Sequence, residues 1–341
     1  MIRGNRGVVG ILSLIGHTPV VELRGFDTGR CQLFVKLETQ NPGGSIKDRI
    51  ALSMIEAAER KGILASGDTI VEATSGNTGL GLALVAAVKG YRLILVIPDK
   101  MSKEKVSHLR AFGADVRLTR SDVGPGHSEY YEQVAARIAR DTGNYFINQF
   151  DNEANALAHE NMTGPEIWEQ LDHEVNAIVC GVGSGGTLTG LSRYFARVNP
   201  ELEMVLADPE GSALASYVKT RKLGACSAYA VEGIGCSHVP ALTDLSRVAR
   251  AFTISDAESF RTSRALLRTA GIFAGASSGT LVAAALKYCR EQVVPKRVLT
   301  FICDSGNKYL SKFFNETWLT EHGYAETNAC DYHVSMPVAG P

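Results

Sequence analysis

The chain has 341 residues, 45% of them apolar and 21% charged, with a formal charge of -1. These proportions exclude disordered, collagen-like and coiled-coil chains and leave room for two ordinary domains or one large α/β unit with an ample core. The near-neutral balance and the lack of a dense basic run argue against a nucleic-acid surface.

The start, "MIRGNRGVVGILSLIGHTP", has two arginines before a short apolar run. No small-x-small cleavage pattern follows, so it reads as part of the folded chain and not as a signal peptide. No segment reaches the roughly 20 apolar residues of a membrane span. The seven cysteines (Cys31, Cys180, Cys226, Cys236, Cys289, Cys303, Cys330) are scattered and form no C-x-x-C pair. That usage predicts a reducing, cytoplasmic setting, with neither a disulfide framework nor a metal site.

Elements then alternate. "QLFVKLE" (32–38) predicts a strand, "DRIALSMIEAAERKG" an amphipathic helix ending at Gly62, and "TIVEAT" (69–74) a strand. "TGLGLALVAAVKG" reads as a helix, "RLILVIP" (92–98) as a buried strand, and "SKEKVSHLRAFG" as a helix ending at Gly113. Next, "NQFDNEANALAHENMTGPEIWEQ" has little strand pattern and places a domain crossover near residue 150. A second series follows: "AIVCGVG" (177–183), "TLTGLSRYFARV", "EMVLADP", "AESFRTSRALLRTAG", "TLVAAALKYCREQ" and "RVLTFICDSG". This is the βαβ rhythm of parallel sheets covered by helices, an α/β fold. The tail "HGYAETNACDYHVSMPVAGP" is unpatterned.

Four stretches carry chemistry. In "NPGGSIKDRIA" (41–51), Lys47 stands where a helix begins. The positive end of a helix dipole disfavours a cation there unless an anion or a covalent partner is close by. In "GVGSGGTLTG" (181–190), a glycine-rich turn joins a strand to a helix, so the N–H groups of Gly183, Ser184, Gly185, Gly186 and Thr187 can converge on a phosphate. The same glycines satisfy G-x-G-x-x-G with Asp208 after the next strand, which also fits a nicotinamide cofactor but leaves Lys47 unexplained. "TSGNTG" (74–79) reads either as a helix cap with a turn glycine or as a carboxylate site of short hydroxyls and helix-start amides. In "AGASSGTLVAA", Ser277 and Ser278 precede a helix as caps or as a neutral hydroxyl facing a ligand. A phosphate cradle, a carboxylate loop, a lysine and a neutral hydroxyl together describe pyridoxal 5'-phosphate with an amino-acid substrate.

With these motifs the chain resembles the fold-type-II pyridoxal-phosphate enzymes of the cystathionine β-synthase and cysteine synthase (O-acetylserine sulfhydrylase) family. The resemblance runs from about Ile15 to Gly323 through "IGHTPVVEL", "NPGGSIKDR", "EATSGNTGLGLA", "PDKMSKEKVSHLRAFGA", "GVGSGGTLTG", "ADPEGS", "VEGIGCSHVP" and "GASSGT". It implies a tryptophan synthase β-like architecture of two parallel-sheet domains with the cofactor between them. Residues 1–40 and 151–323 would form the larger domain, 41–150 a smaller movable one, and 324–341 a tail.

The resemblance further assigns Lys47 as the Schiff-base lysine, Asn77 as partner of the cofactor's ring oxygen, Gly183 to Thr187 as the phosphate site, and Ser277 as the group facing the pyridine nitrogen. Thr74, Ser75, Gly76, Thr78 and Gln149 would receive the substrate carboxylate, and Gly233 would line the substrate mouth. The implied activity is β-replacement on serine or an activated serine with a thiol, by a homodimer acting on small amino-acid substrates, without nucleic acid or membrane. "MSKEKVSHLRAFGA", "ADPEGS", "VEGIG" and "SKFFNETWLTEHGY" look more like the cystathionine β-synthase branch, which favours serine and homocysteine. "CSH" (Cys236 to His238) departs from the bulkier residues expected after "GIG". An amine acceptor, a β-elimination, a nicotinamide dehydrogenase and an inactive cofactor-bearing scaffold remain as alternatives.

Overall fold

A computed structural model of the chain describes residues 10–325 except 75 and 125. The expectations for Ser75 and for nearly all of the tail lie outside the described residues. Among the described residues, ten strands fall into two sheets. Six form the first: β1 (Val20–Glu22), β2 (Gln32–Leu37), β7 (Ala177–Cys180), β8 (Glu203–Pro209), β9 (Val248–Ile254) and β10 (Arg297–Ile302), in the order β1-β2-β10-β7-β8-β9. All neighbours are parallel except β1 with β2. The second is fully parallel, in the order β5-β4-β3-β6, from β3 (Thr69–Ala73), β4 (Arg92–Pro98), β5 (Asp115–Thr119) and β6 (Tyr145–Phe146). The chain therefore leaves the first sheet after β2, builds the second, and returns to complete the first.

Helices cover both sheets: α1 (Lys47–Arg60), α2 (Asn77–Lys89), α3 (Lys103–Ala111), α4 (Tyr131–Thr142), α5 (Glu153–Ala158), α6 (Gly164–Gln170), α7 (Gly186–Val198), α8 (Leu214–Thr220), α9 (Asp256–Ala270), α10 (Ala276–Arg290) and α11 (Glu316–Glu321). Among the described residues, no helix is long and apolar enough to cross a membrane. Strands β3 and β7 are buried along their whole length, which is why they read as continuous apolar runs. One apolar core surrounds the six-stranded sheet. A second lies under α1 and α2 and takes in Ile15, Ala154 and Ala158.

Helix α1 is fixed by charge as well as by packing. Arg49 bonds Glu38 at 2.7 Å and Glu166 at 2.7 Å, and Lys36 reaches Glu166 at 2.9 Å, all four side chains being nearly or wholly buried. Two cations and two anions balance, and Thr18 adds a bond to Glu38 at 2.7 Å. Such a network fixes a unique arrangement, because removing one partner strands a buried charge. It ties the first turn of α1, and Lys47 with it, to β2 and α6.

Candidate active site

The site lies where ligands collect in parallel α/β sheets, beyond the carboxyl ends of the strands and at a topological switch point. Strand β7 is that point, with β10 on one side and β8 on the other. The turn after it, residues 181–185, opens α7. Thr74 and Gly76 likewise stand between β3 and α2, and Ile46 donates its N–H to the carbonyl of Cys303, just past β10, at 2.9 Å. Three strand ends thus meet around one cavity of about 490 Å³. Lys47, Asn77, Thr78, Gln149, Gly183, Ser184, Gly185, Thr187, Gly233 and Ser277 all line it. Thr74, Gly76, Gly186 and Asp208 lie outside the lining, and Asp208 instead accepts the N–H of Ala215 at 2.7 Å.

The glycine turn is built for an anion. Gly185 sits at φ +91°, a left-handed conformation that turns the chain into α7. A Cβ on Gly186 would lie 1.9 Å from Asn155 Oδ1. The backbone N–H groups of Ser184, Gly185, Gly186 and Thr187 donate to no protein acceptor among the described residues, which leaves a nest of donors at a helix start. The turn is braced from behind. Asn155 donates to Ser184 Oγ at 2.9 Å, and Thr187 Oγ1 meets His159 Nε2 at 3.1 Å. His159 Nδ1 meets Thr163 Oγ1 at 3.0 Å. Burial, with the nearby charges of Lys47 and Arg49, holds the His159 pKa well below its usual value, so the imidazole is neutral. His159 to Thr163 form a single π-helical stretch between α5 and α6, the irregularity that aims the ring at the turn.

Lys47 is the first residue of α1, with its N–H on Ser45 Oγ at 3.2 Å. Burial lowers its pKa, while the Asp304 and Glu38 carboxylates pull the other way. A lowered pKa favours the free amine that Schiff-base and general-base chemistry need. Ser277, in the first turn of α10, and Cys303 share the cavity with it. Burial pushes the Cys303 thiol up to about 12, which keeps it un-ionised.

At the second loop, Thr74 Oγ1 accepts the N–H of Gly76 at 3.0 Å, a local turn; the N-cap of α2 is Gly76, with no side-chain cap, so the capping role weighed for Thr74 above is not the one it has. Thr78 Oγ1 donates to Gln149 Oε1 at 2.6 Å. The Gln149 amide nitrogen spends both hydrogens on protein, one on Glu72 Oε1 at 3.0 Å and one on the carbonyl of Ala73 at 2.9 Å. A carbonyl can only accept, so the nitrogen must face Ala73. Gln149 thereby fixes Thr78, and would have to release one of these bonds to grip a ligand itself. Glu72 is fully buried, and burial pushes its carboxyl up to about 8. Asn77 donates to Asp304 at 2.7 Å and accepts from Lys308 at 3.1 Å, which leaves one amide hydrogen for a ligand. Asn155, His159, Glu72, Asp304 and Lys308 were not singled out from sequence. Glu72, Asn155 and His159 share one signal, a polar side chain at a buried strand or helix position, whereas Asp304 and Lys308 lie past the end of β10 and carry none.

The family model described as "Pyridoxal-phosphate dependent enzyme" matches residues 11–304. The chain is 42% identical over 320 residues to a cystathionine beta-synthase of Oryctolagus cuniculus, covering 93% of this chain and 58% of that protein. It is 37% identical to a cysteine synthase of Dictyostelium discoideum, covering 92% of this chain and 86% of that one. The crystal structure of an O-acetylserine dependent cystathionine beta-synthase from Helicobacter pylori superposes with a TM-score of 0.83 at 34% identity, over 90% of this chain and 99% of that chain. The chain thus spans just over half the length of the mammalian relative.

Proposed function

The chain belongs to the pyridoxal-phosphate dependent enzymes, and on that premise we propose that it catalyses β-replacement on L-serine or an O-activated serine with a thiol acceptor, forming cystathionine or cysteine. One observation carries the reading: a lysine with a lowered pKa shares a cavity with two separate helix-start anion sites. One site suits the cofactor's phosphate and the other an amino-acid carboxylate. Relatives named cystathionine beta-synthase and cysteine synthase support the same chemistry.

When bound, pyridoxal 5'-phosphate supplies the electron sink for the carbanion chemistry. The residues of this chain do the rest. Ser184 to Thr187 would hold the phosphate through main-chain N–H groups, and Asn77 would give its remaining amide hydrogen to the ring oxygen. Ser277 offers the ring nitrogen a hydroxyl, which shares a hydrogen bond but cannot keep a proton there as a carboxylate would. Thr78, held by Gln149, and the start of α2 receive the substrate carboxylate. Lys47, as a neutral amine, takes the Cα proton and returns it after the thiol has added. In the net reaction the Cβ–O bond breaks and a Cβ–S bond forms, and the thiol proton leaves with the departing oxygen as water, a carboxylic acid or hydrogen phosphate, according to the donor. The smaller body, residues 41–150, closes over the substrate, and the enzyme works as a homodimer.

The test is one assay on holoenzyme that crosses serine, O-acetylserine, O-phosphoserine and cysteine with sulfide and homocysteine. Thioether or cysteine formation from at least one pair is expected. Pyruvate and ammonia alone would assign a β-elimination, products from amines alone a different replacement, and no turnover of any pair a cofactor-bearing scaffold.

A further inference from the structure

The outer half of the cavity is made by two segments remote in sequence, residues 120–132 leading into α4 and residues 226–240 between α8 and β9. From the first come Arg120, Tyr130, Tyr131 and Glu132, and across from them stand Tyr229, Cys236 and His238. The Tyr130 and Tyr131 rings meet edge to face at 4.7 Å, and Tyr131 meets Phe150 the same way at 6.5 Å. An aromatic row therefore leads inward from the mouth to the neighbour of Gln149.

Two acids line the cavity, Glu132 and Glu232. Glu232 is neutralised twice, by Lys105 at 2.6 Å and Lys312 at 2.5 Å. Glu132 has no basic partner within ion-pair distance among the described residues. The rim arginine, Arg120, is already taken by Asp122 at 2.6 Å and Glu129 at 3.4 Å. Lys100, also at the rim, has no acidic partner among the described residues. Burial raises the Tyr130 and Tyr131 hydroxyls, with the Glu132 charge adding to both, and the same charge reaches the Cys236 thiol on the opposite wall. Glu132 is half-buried in the cavity wall, on the first turn of α4 and next in the chain to Tyr131.

We infer that Glu132 selects the acceptor by receiving the ammonium group of an amino-acid thiol of the homocysteine type, with Lys100 or His238 on its carboxylate. The inference rests on the β-replacement reading and adds the recognition of the second substrate. Sulfide has no ammonium and gains nothing from Glu132. A zwitterion meets an acid bonded only by the Tyr130 and Tyr131 hydroxyls and a lysine without an acidic partner, in a partly desolvated mouth, where such pairing is stronger than on an open surface. The plain rival is that Glu132 only complements the dipole of α4.

The experiment compares kcat/KM for homocysteine with that for 4-mercaptobutanoate, the same thiol and carboxylate without the ammonium, in the wild-type holoenzyme and in Glu132→Gln. Because each ratio is taken on one preparation, it does not depend on the fraction folded. The wild type should prefer homocysteine by about tenfold or more, roughly the coupling of one close charge pair, and Glu132→Gln should lose most of that preference through the acceptor KM. Equal ratios in the two proteins, or a wild type that uses sulfide alone, would overturn the role of Glu132 and leave β-replacement standing. No carbon–sulfur product from serine or its O-esters with any thiol would overturn the reading beneath it, and the inference with it.

Discussion

The floor and the mouth of the cavity are specified in different ways. The floor is mainly backbone: a left-handed Gly185, a Gly186 with no room for a methyl, and free N–H groups at the starts of α2 and α7. The mouth is mainly side chains, Tyr130 to Glu132 on one wall and Cys236 to His238 on the other, brought from segments about a hundred positions apart in the chain. A backbone site tolerates few residues and so is written in glycines at fixed spacing. A side-chain site can change its selectivity one residue at a time while the floor is kept.

That contrast predicts unequal consequences of substitution. The largest should come from the floor. In Gly186→Ala the added methyl meets Asn155 Oδ1 at 1.9 Å, so Asn155 must leave Ser184 and the turn must shift. Overpacking of this kind costs about 1–3 kcal/mol, and cofactor retained after desalting should fall by about tenfold or more. Retention equal to wild type would show that the cradle does not depend on that fit.

An intermediate effect belongs to the support beneath the floor. Burial keeps the Glu72 carboxyl protonated up to about 8, whereas in the unfolded chain it ionises in the ordinary carboxylate range. Between those limits the folded state binds more protons than the unfolded state, so stability falls as pH rises toward 8. Asp48, pushed up to about 7 first by burial, acts in the same direction. In Glu72→Gln, denaturation across this range should lose a contribution on the order of a few kcal/mol to that slope. Identical slopes would mean that Glu72 is ionised in the fold.

The smallest effect should come from the mouth. His238 is exposed at the rim, so His238→Phe should raise the acceptor KM only about two- to fivefold, the worth of an exposed charge contact. The rate of the first half-reaction, followed by the visible spectrum of the bound cofactor, should move less. An equal loss in both half-reactions, or in neither, would remove the acceptor role of His238.

The same contrast explains what the sequence let us read. The buried strands Thr69–Ala73 and Arg92–Pro98 and helices α1, α2, α7 and α10 carry uninterrupted apolar patterns, and their positions were legible to within a few residues. Strands β5 and β9 were not, because β5 is largely exposed and β9 largely half-exposed. The crossover "NQFDNEANALAHENMTGPEIWEQ" folds as α5, the π stretch and α6. Its helical period is blurred because Asn155, His159 and Thr163, buried on the inner face, are polar. All four candidate groups could be picked out from glycines, a lysine and short hydroxyls near helix starts, and Lys47, Thr78, Ser184 and Ser277 do line one cavity. The Arg49 network could not, since nothing local to Lys36, Glu38, Arg49 and Glu166 says that they meet. The mouth was legible only as a departure at Cys236 to His238, and its facing wall was silent.

The central claim is that Lys47 carries the cofactor, and one measurement reaches it directly. Borohydride reduction of the holoenzyme fixes the cofactor to whichever lysine holds it, and peptide mapping by mass spectrometry then finds that lysine. The account predicts the phosphopyridoxyl mass on the peptide bearing Lys47, and not on Lys100, Lys105, Lys308 or Lys312, the other lysines in or beside the cavity. A label on any other lysine, or none on a protein that retains the cofactor, would contradict it.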